Sequence, residues 1–272
     1  MEQKKFLRVL SLGAGVQSSA LALMIEKGEI EMVDYALFSD TMSEPKAVYD
    51  WLNYLQKNIS YKILRINNGN LKQDVLDFVN KKINRVPFPP IYMKNSKTGK
   101  RGIMRRHCTF DYKIKPIQNK VRELLGYKKG QRVSKDTKVE MLMGISFDEM
   151  QRMKINSNKY ITNIYPLVDK VIRRHDCINW MKKNGYAEPP RSACTFCPYH
   201  SNLEWLNIKK NKQEWDDAVA FDEAIRHGFS MKDFDEFYVH RDLVPLKDAD
   251  LRSAEEKGQY SLLDECEGMC GI

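Results

Sequence analysis

Two thiols stand three positions apart in Ser192-Ala-Cys194-Thr-Phe-Cys197-Pro-Tyr-His200. That spacing sets both sulfurs on one side of a turn, where they can chelate a soft metal or cycle as a redox pair. Two partner sets are available. Cys108, preceded by His107, would complete a three-cysteine [4Fe–4S] site, with His107 or an open position as fourth ligand. Cys266 and Cys270 would instead build a tetrahedral zinc site with Cys194 and Cys197. Reduced, unligated thiols are the plain alternative. Cys177, in Asp-Cys-Ile-Asn-Trp, reads as a small buried hydrophobe.

A second chemical segment opens the chain. Residues 7–19 read Leu-Arg-Val-Leu-Ser11-Leu-Gly13-Ala14-Gly15-Val-Gln17-Ser18-Ser19, followed by the helical run Ala20-Leu-Ala-Leu-Met24. A strand entering a Gly/Ser-rich turn that opens a helix suits an anion. Glycines let the backbone approach, and N–H groups at the helix start meet a phosphate alongside the positive end of the dipole. Gly13 and Gly15 would shape the turn, and the serines add hydroxyl donors. No Gly-Lys-Ser/Thr follows, so this is not a Walker loop, and no third glycine arrives in register for a dinucleotide fingerprint.

Three further groups accompany it. Phe38-Ser-Asp40-Thr41 closes the second strand pattern, where an acid can accept ribose hydroxyls or sit near Mg2+; capping of the next helix by Ser39, Asp40 or Ser43 is the structural alternative. Arg105-Arg-His107-Cys108-Thr-Phe-Asp-Tyr-Lys113-Ile-Lys115-Pro supplies cations for phosphate or sulfate. Met143-Gly144-Ile-Ser-Phe-Asp148-Glu149-Met-Gln-Arg152 ends a later strand; there Arg152 would meet phosphate, oriented by Asp148 or Glu149.

The elements that must hold these groups alternate. Strand patterns at 7–12, 33–39 and 61–66 alternate with helical patterns at 17–28, 44–58 and 71–82; Val48, Trp51, Leu52 and Leu55 share one helical face. Such alternation predicts a parallel sheet covered by helices on both faces. Residues 85–102, rich in proline and lysine, read as a long loop, and a strand at 139–144 completes the sheet. Helices follow at 113–125, 171–184, 202–210 and 213–227, then a tail from about Phe237.

The 272 residues, 42% hydrophobic, suffice for a large core, and no apolar run is long enough to span a membrane. The opening Met-Glu-Gln-Lys-Lys carries no secretory pattern, so a cytoplasmic location is expected. A net charge of +9 fits a polyanionic partner, tRNA or DNA, as well as a merely solvated basic surface.

The glycine loop resembles the PP-loop of the adenine-nucleotide alpha-hydrolase superfamily, especially its phosphoadenosine phosphosulfate (PAPS) reductase-like branch. Asp40-Thr41-Met42-Ser43-Glu44 looks like that branch's Asp-Thr-Gly-x-Glu segment, with Met42 where the family often has glycine. The segment 105–117 resembles its Arg-x-Cys-(x)n-Lys-x-x-Pro block, 144–152 its Gly-x-Arg/Ser-x-x-Glu-x-x-Arg segment, and Tyr165-Pro166-Leu167 its Pro-Leu turn. Glu265-Cys266 is similar to the catalytic Glu-Cys of sulfonucleotide reductases. In cluster-binding reductases a Cys-Cys pair stands where this chain has His107-Cys108, a parallel that favours the iron–sulfur reading.

The resemblance implies an α/β, Rossmann-like (HUP-type) parallel-sheet domain at 1–170 and a helical, cysteine-bearing extension at 171–272. It implies ATP or a related adenine nucleotide with Mg2+, contacted by Ser11, Gly13, Ala14, Gly15, Gln17, Ser18, Ser19, Asp40, Thr41, Lys113, Gly144 and Arg152. Asp40, Arg152, Cys108 and Cys266 would act in catalysis. The leading reaction is cleavage of ATP between its α and β phosphates, adenylating an acceptor for sulfur transfer from a sulfur donor. The first alternative is a sulfonucleotide reductase, with Cys266 as nucleophile and a thioredoxin-like partner. The second is nucleotide binding without turnover.

Overall fold

The computed structural model describes residues 5–252. In chain order, β1 (Phe6–Ser11), α1 (Val16–Glu26), β2 (Tyr35–Asp40), α2 (Lys46–Asn58), β3 (Lys62–Asn67) and α3 (Leu71–Val79) alternate as their apolar periodicity requires. Two short strands, β4 (Tyr92–Lys94) and β5 (Arg101–Ile103), precede α4 (Lys115–Leu124), β6 (Lys138–Met143) and β7 (Ile161–Ile164). The chain continues through α5 (Pro166–Asp169), α6 (Arg174–Lys183), α7 (Asn202–Lys209), α8 (Lys212–Ile225) and β8 (Glu236–Tyr238).

Five strands form one parallel sheet in the order β3-β2-β1-β6-β7. Leu7, Val9 and Leu10 of β1 and Ala36, Leu37 and Phe38 of β2 are all buried, as strands covered on both faces must be. On one face α1, α2 and α6 pack over Leu10, Ala36 and Phe38, through Val48, Trp51, Leu52 and Leu55 of α2 and Cys177 and Met181 of α6. On the other, Ile117 and Val121 of α4 cover Leu7, Val9 and Leu37. This is the expected Rossmann-like α/β architecture, with Cys177 a fully buried apolar filler. Strand order reverses between β1 and β6, whose ends lie level because Ser11 pairs with Met143. Ligands of such sheets bind in the crevice beyond that reversal.

The structure departs from the sequence expectations in two places. The fifth strand is β7, whose four residues Ile-Thr-Asn-Ile give too short an alternation to read. The 85–102 segment carries β4 and β5, which pair antiparallel with β8 in a three-stranded sheet. Long-range pairing built this sheet, so local punctuation by proline and glycine hid it. Packing also crosses residue 170 twice: α6 joins the core over α1, and β8 completes the sheet begun by β4. No described helix is long and apolar enough to cross a membrane.

Candidate functional site

The loop between β1 and α1 leaves the sheet at the strand reversal. Its left-handed residue is the fully buried Ala14 (φ 57°) rather than either glycine. Gly15, in extended conformation, precedes α1 and supplies no side-chain cap. Among the described residues, the N–H groups of Val16, Gln17 and Ser18 have no acceptor, while Ser19 N–H donates to Gly15 O at 2.9 Å. A Cβ added to Gly15 would meet nothing within 4 Å, so space lies open above these donors. Backbone donors, a helix dipole and free volume together make an anion cradle.

The neighbouring glycine is different in kind. A Cβ on Gly144 would lie 2.6 Å from Ser18 Cα and 2.7 Å from Ser18 N. Gly144 therefore lets the chain leaving β6 press against the first turn of α1. Two loop hydroxyls serve internal bonds: Ser18 Oγ donates to Gly15 O at 3.3 Å, and Ser19 Oγ accepts from Trp51 Nε1 at 2.8 Å. Ser11 ends β1 half-buried.

A polar chain then ties the cradle to two arginines. Gln17, only 8% exposed, donates from Nε2 to Glu149 Oε2 at 3.1 Å and to Ser146 Oγ at 3.4 Å. Glu149 Oε2 in turn holds Arg152 Nη1 at 2.7 Å, the orientation expected from the sequence. Asp148 serves elsewhere, accepting from the Arg174 backbone N–H at 3.1 Å. Arg174 Nη1 donates to Gln17 Oε1 at 2.8 Å. Sequence reasoning passed over Arg174, because an arginine opening a helix looks solvated until α6 is docked on α1.

The end of β2 forms the other flank. Asp40 Oδ1 accepts from Met42 N–H at 2.7 Å and from Tyr49 Oη at 2.9 Å, an Asx turn rather than a helix cap. Burial, then the Asp40 bond, raises the Tyr49 phenol above its ordinary range. α2 starts after Pro45 without a side-chain cap, so the capping alternative does not apply. Glu44, quoted in the motif but given no role there, is buried; its Oε1 pairs with Lys113 Nζ at 3.2 Å and its Oε2 accepts from Ser192 Oγ at 3.1 Å. Lys113 belongs to a π-type turn, Phe110–Ile114, whose Tyr112 carbonyl accepts from Ser39 Oγ at 2.6 Å.

The three cysteines converge on this flank. Cys194, Cys108 and Cys197 pack in one apolar cluster with Phe196 and Trp205. Cys194 Sγ lies 3.2 Å from the buried Thr41 Oγ1, one residue beyond Asp40. Burial first and Glu44 second push the Cys194 thiol up to about 12, against the opposing charge of Lys113. At neutral pH it is a protonated thiol. His107 is exposed. Soft donors are thus gathered, but no group of three or more His, Cys, Asp or Glu among the described residues has the spacing to hold an ion. As they stand these residues do not fit an iron–sulfur cluster, and no step below is routed through a metal. Cys266 and Cys270, with the zinc set and the tail nucleophile built on them, lie outside the described residues.

No protein-family model and no curated protein sequence matches this chain. Among solved structures it is similar to the phosphoadenylyl-sulfate (PAPS) reductase of Candida auris, determined as a phosphate complex. That likeness has a TM-score of 0.43 and 14% identity, over 68% of this chain and 75% of the reductase. The fold assignment rests on the strand order and packing described above.

Proposed function

We propose that this chain binds ATP or a related adenine nucleotide across the ends of β1, β2 and β6. One observation carries the reading: the uncapped start of α1 lies at the strand reversal, open above Gly15 and flanked by Arg152 and Arg174. The pyrophosphate end would rest on Gly13–Ser19, and Asp40, fixed by Met42 and Tyr49, would face the ribose. An acceptor oxygen then attacks the α-phosphorus, the bond to the β-phosphate breaks, and pyrophosphate leaves. Backbone donors and arginine charge stabilise that leaving group. A sulfur nucleophile afterwards displaces AMP from the adenylated acceptor. The Cys194 thiol beside Thr41, in one cluster with Cys108 and Cys197, supports sulfur chemistry there, and the net charge of +9 supports a nucleic-acid acceptor.

Calorimetry on Gly15→Val tests the binding step. The variant should fold normally and lose ATP affinity; retained ATP affinity refutes the site. A chain truncated after Leu263 should keep acceptor-dependent pyrophosphate release. If PAPS instead yields sulfite with thioredoxin, and Cys266→Ser alone stops it, the protein is a reductase.

A further inference from the structure

We infer that Arg174 grips the pyrophosphate end of the bound nucleotide and so selects a phosphate chain longer than one group. This rests on the nucleotide reading above and adds to it a specificity residue. The two cations assigned to the nucleotide from sequence are already compensated: Arg152 by Glu149 at 2.7 Å and Lys113 by the buried Glu44 at 3.2 Å. Arg174 is not. Its half-buried side chain makes one hydrogen bond among the described residues, to the neutral Gln17 Oε1 at 2.8 Å, and no ion pair. Asp148 accepts from the Arg174 backbone N–H and anchors the start of α6.

A guanidinium carries five N–H donors, and one neutral bond leaves most of its hydrogen-bonding capacity and all of its charge for an incoming anion. Its direction is set rather than incidental. Gln17 is held from its Nε2 side by Glu149 and Ser146, so its Oε1 faces Arg174 and draws the guanidinium to the first turn of α1. That turn carries the acceptorless N–H groups of Val16, Gln17 and Ser18. The contact sits at the pyrophosphate end of the proposed pose, away from Asp40 and the ribose. A nucleoside monophosphate would leave it unused.

The test titrates wild type, Arg174→Gln and Arg174→Lys with ATP, AMP and inorganic pyrophosphate by calorimetry at fixed salt, with thermal unfolding as the fold control. Glutamine keeps a donor for Gln17 and removes the charge; lysine keeps charge without the fork. Arg174→Gln should weaken ATP and pyrophosphate about tenfold or more, the scale of one charge-assisted bond, with AMP changed less than about twofold. Arg174→Lys should fall between. Equal losses for ATP and AMP would make Arg174 a prop for Gln17, and no change for any ligand would remove it from the site; either overturns this inference and leaves the nucleotide reading intact. Wild type that binds none of the three ligands overturns both.

Discussion

The two flanks of the strand-end crevice are built on opposite principles. Beside α1 the surface is backbone, with N–H groups lacking acceptors, open volume over Gly15 and an arginine held by one neutral bond. Beside β2 it is side chains packed shut: Thr41 on Cys194, Ser192 and Lys113 on a buried Glu44. A surface for a ligand that comes and goes leaves bonds unmade, whereas buried polar groups must make theirs in advance. Substitutions on the open flank should therefore change binding with little change in stability, and substitutions on the closed flank the reverse.

The two glycines on the open flank probe this most sharply, since one of them is its foundation. Gly144→Ala drives a methyl into the Ser18 backbone, which cannot yield as a side-chain tip would. Overpacking against backbone should cost about 3 kcal/mol of unfolding free energy. Gly15→Ala adds the same methyl to open space and should stay within about 0.5 kcal/mol, while weakening ATP. Urea denaturation of the pair checks it; equal losses would show that the space above Gly15 is not open.

On the closed flank, Glu44→Gln keeps the shape and the Ser192 contact but removes the carboxylate that pairs with Lys113. Breaking a fully buried pair costs roughly 3–5 kcal/mol. The Lys113 side chain is 30% exposed, so solvent relieves part of that penalty, and about 2 kcal/mol is expected. The double variant Glu44→Gln/Lys113→Met should be more stable than Glu44→Gln alone. A double variant no better than the single would show that the pair is not coupled.

How much of this was legible from sequence differs in the same way between the flanks. Alternating periodicities gave every helix but the four-residue α5, and four of the five strands of the parallel sheet, because each is written locally in apolar spacing. The glycine loop was legible as strand–turn–helix, and the Glu149–Arg152 pair as neighbours one turn apart. Gly144 was read as a nucleotide contact; the structure packs it against the Ser18 backbone, a closeness that no spacing reveals. Glu44 was quoted in a motif but given no role, and Arg174 was passed over, for a common reason. Burial of the first depends on Lys113 and Ser192, and the second meets Gln17 across 157 positions of chain. Only the assembled fold sets these distances.

His200 extends the contrast to pH. Its Nε2 bonds the Cys194 carbonyl at 2.9 Å, and its ring stands edge-on to Trp205 with centroids 4.7 Å apart. Burial, then the charge of Arg191, pushes its pKa from 6.5 down to about 3, so Glu204, 3.8 Å away, faces a neutral ring. The unfolded chain takes up a proton below pH 6.5 that the folded chain refuses until about pH 3. The stability contribution is therefore whole above that window and is lost as pH falls through it, by at most about 1.4 kcal/mol per pH unit. His200→Gln keeps an N–H for the carbonyl and removes the titration. It should flatten the stability profile between pH 6 and 4 by roughly 1 kcal/mol per unit, read from urea midpoints. An unchanged slope would mean that His200 titrates normally in the fold.

The smallest expected effect lies at the seam between the flanks. Met42 follows Asp40 and Thr41 with φ 59°, held there by its N–H bond to Asp40 Oδ1 at 2.7 Å, and its side chain is exposed. A left-handed L-residue costs roughly 1–2 kcal/mol. Glycine would relieve that strain but adds roughly 0.5–1 kcal/mol of unfolded-state entropy. Met42→Gly should therefore stay within about 0.5 kcal/mol of the parent. A β-branched side chain tolerates this backbone region least, so Met42→Val should lose about 1 kcal/mol or more. Because the side chain is exposed, the gap between the two variants isolates backbone strain from packing. If valine proves as stable as glycine, the Asx turn at Asp40 is not held left-handed in solution, and the carboxylate is not fixed by the Met42 N–H.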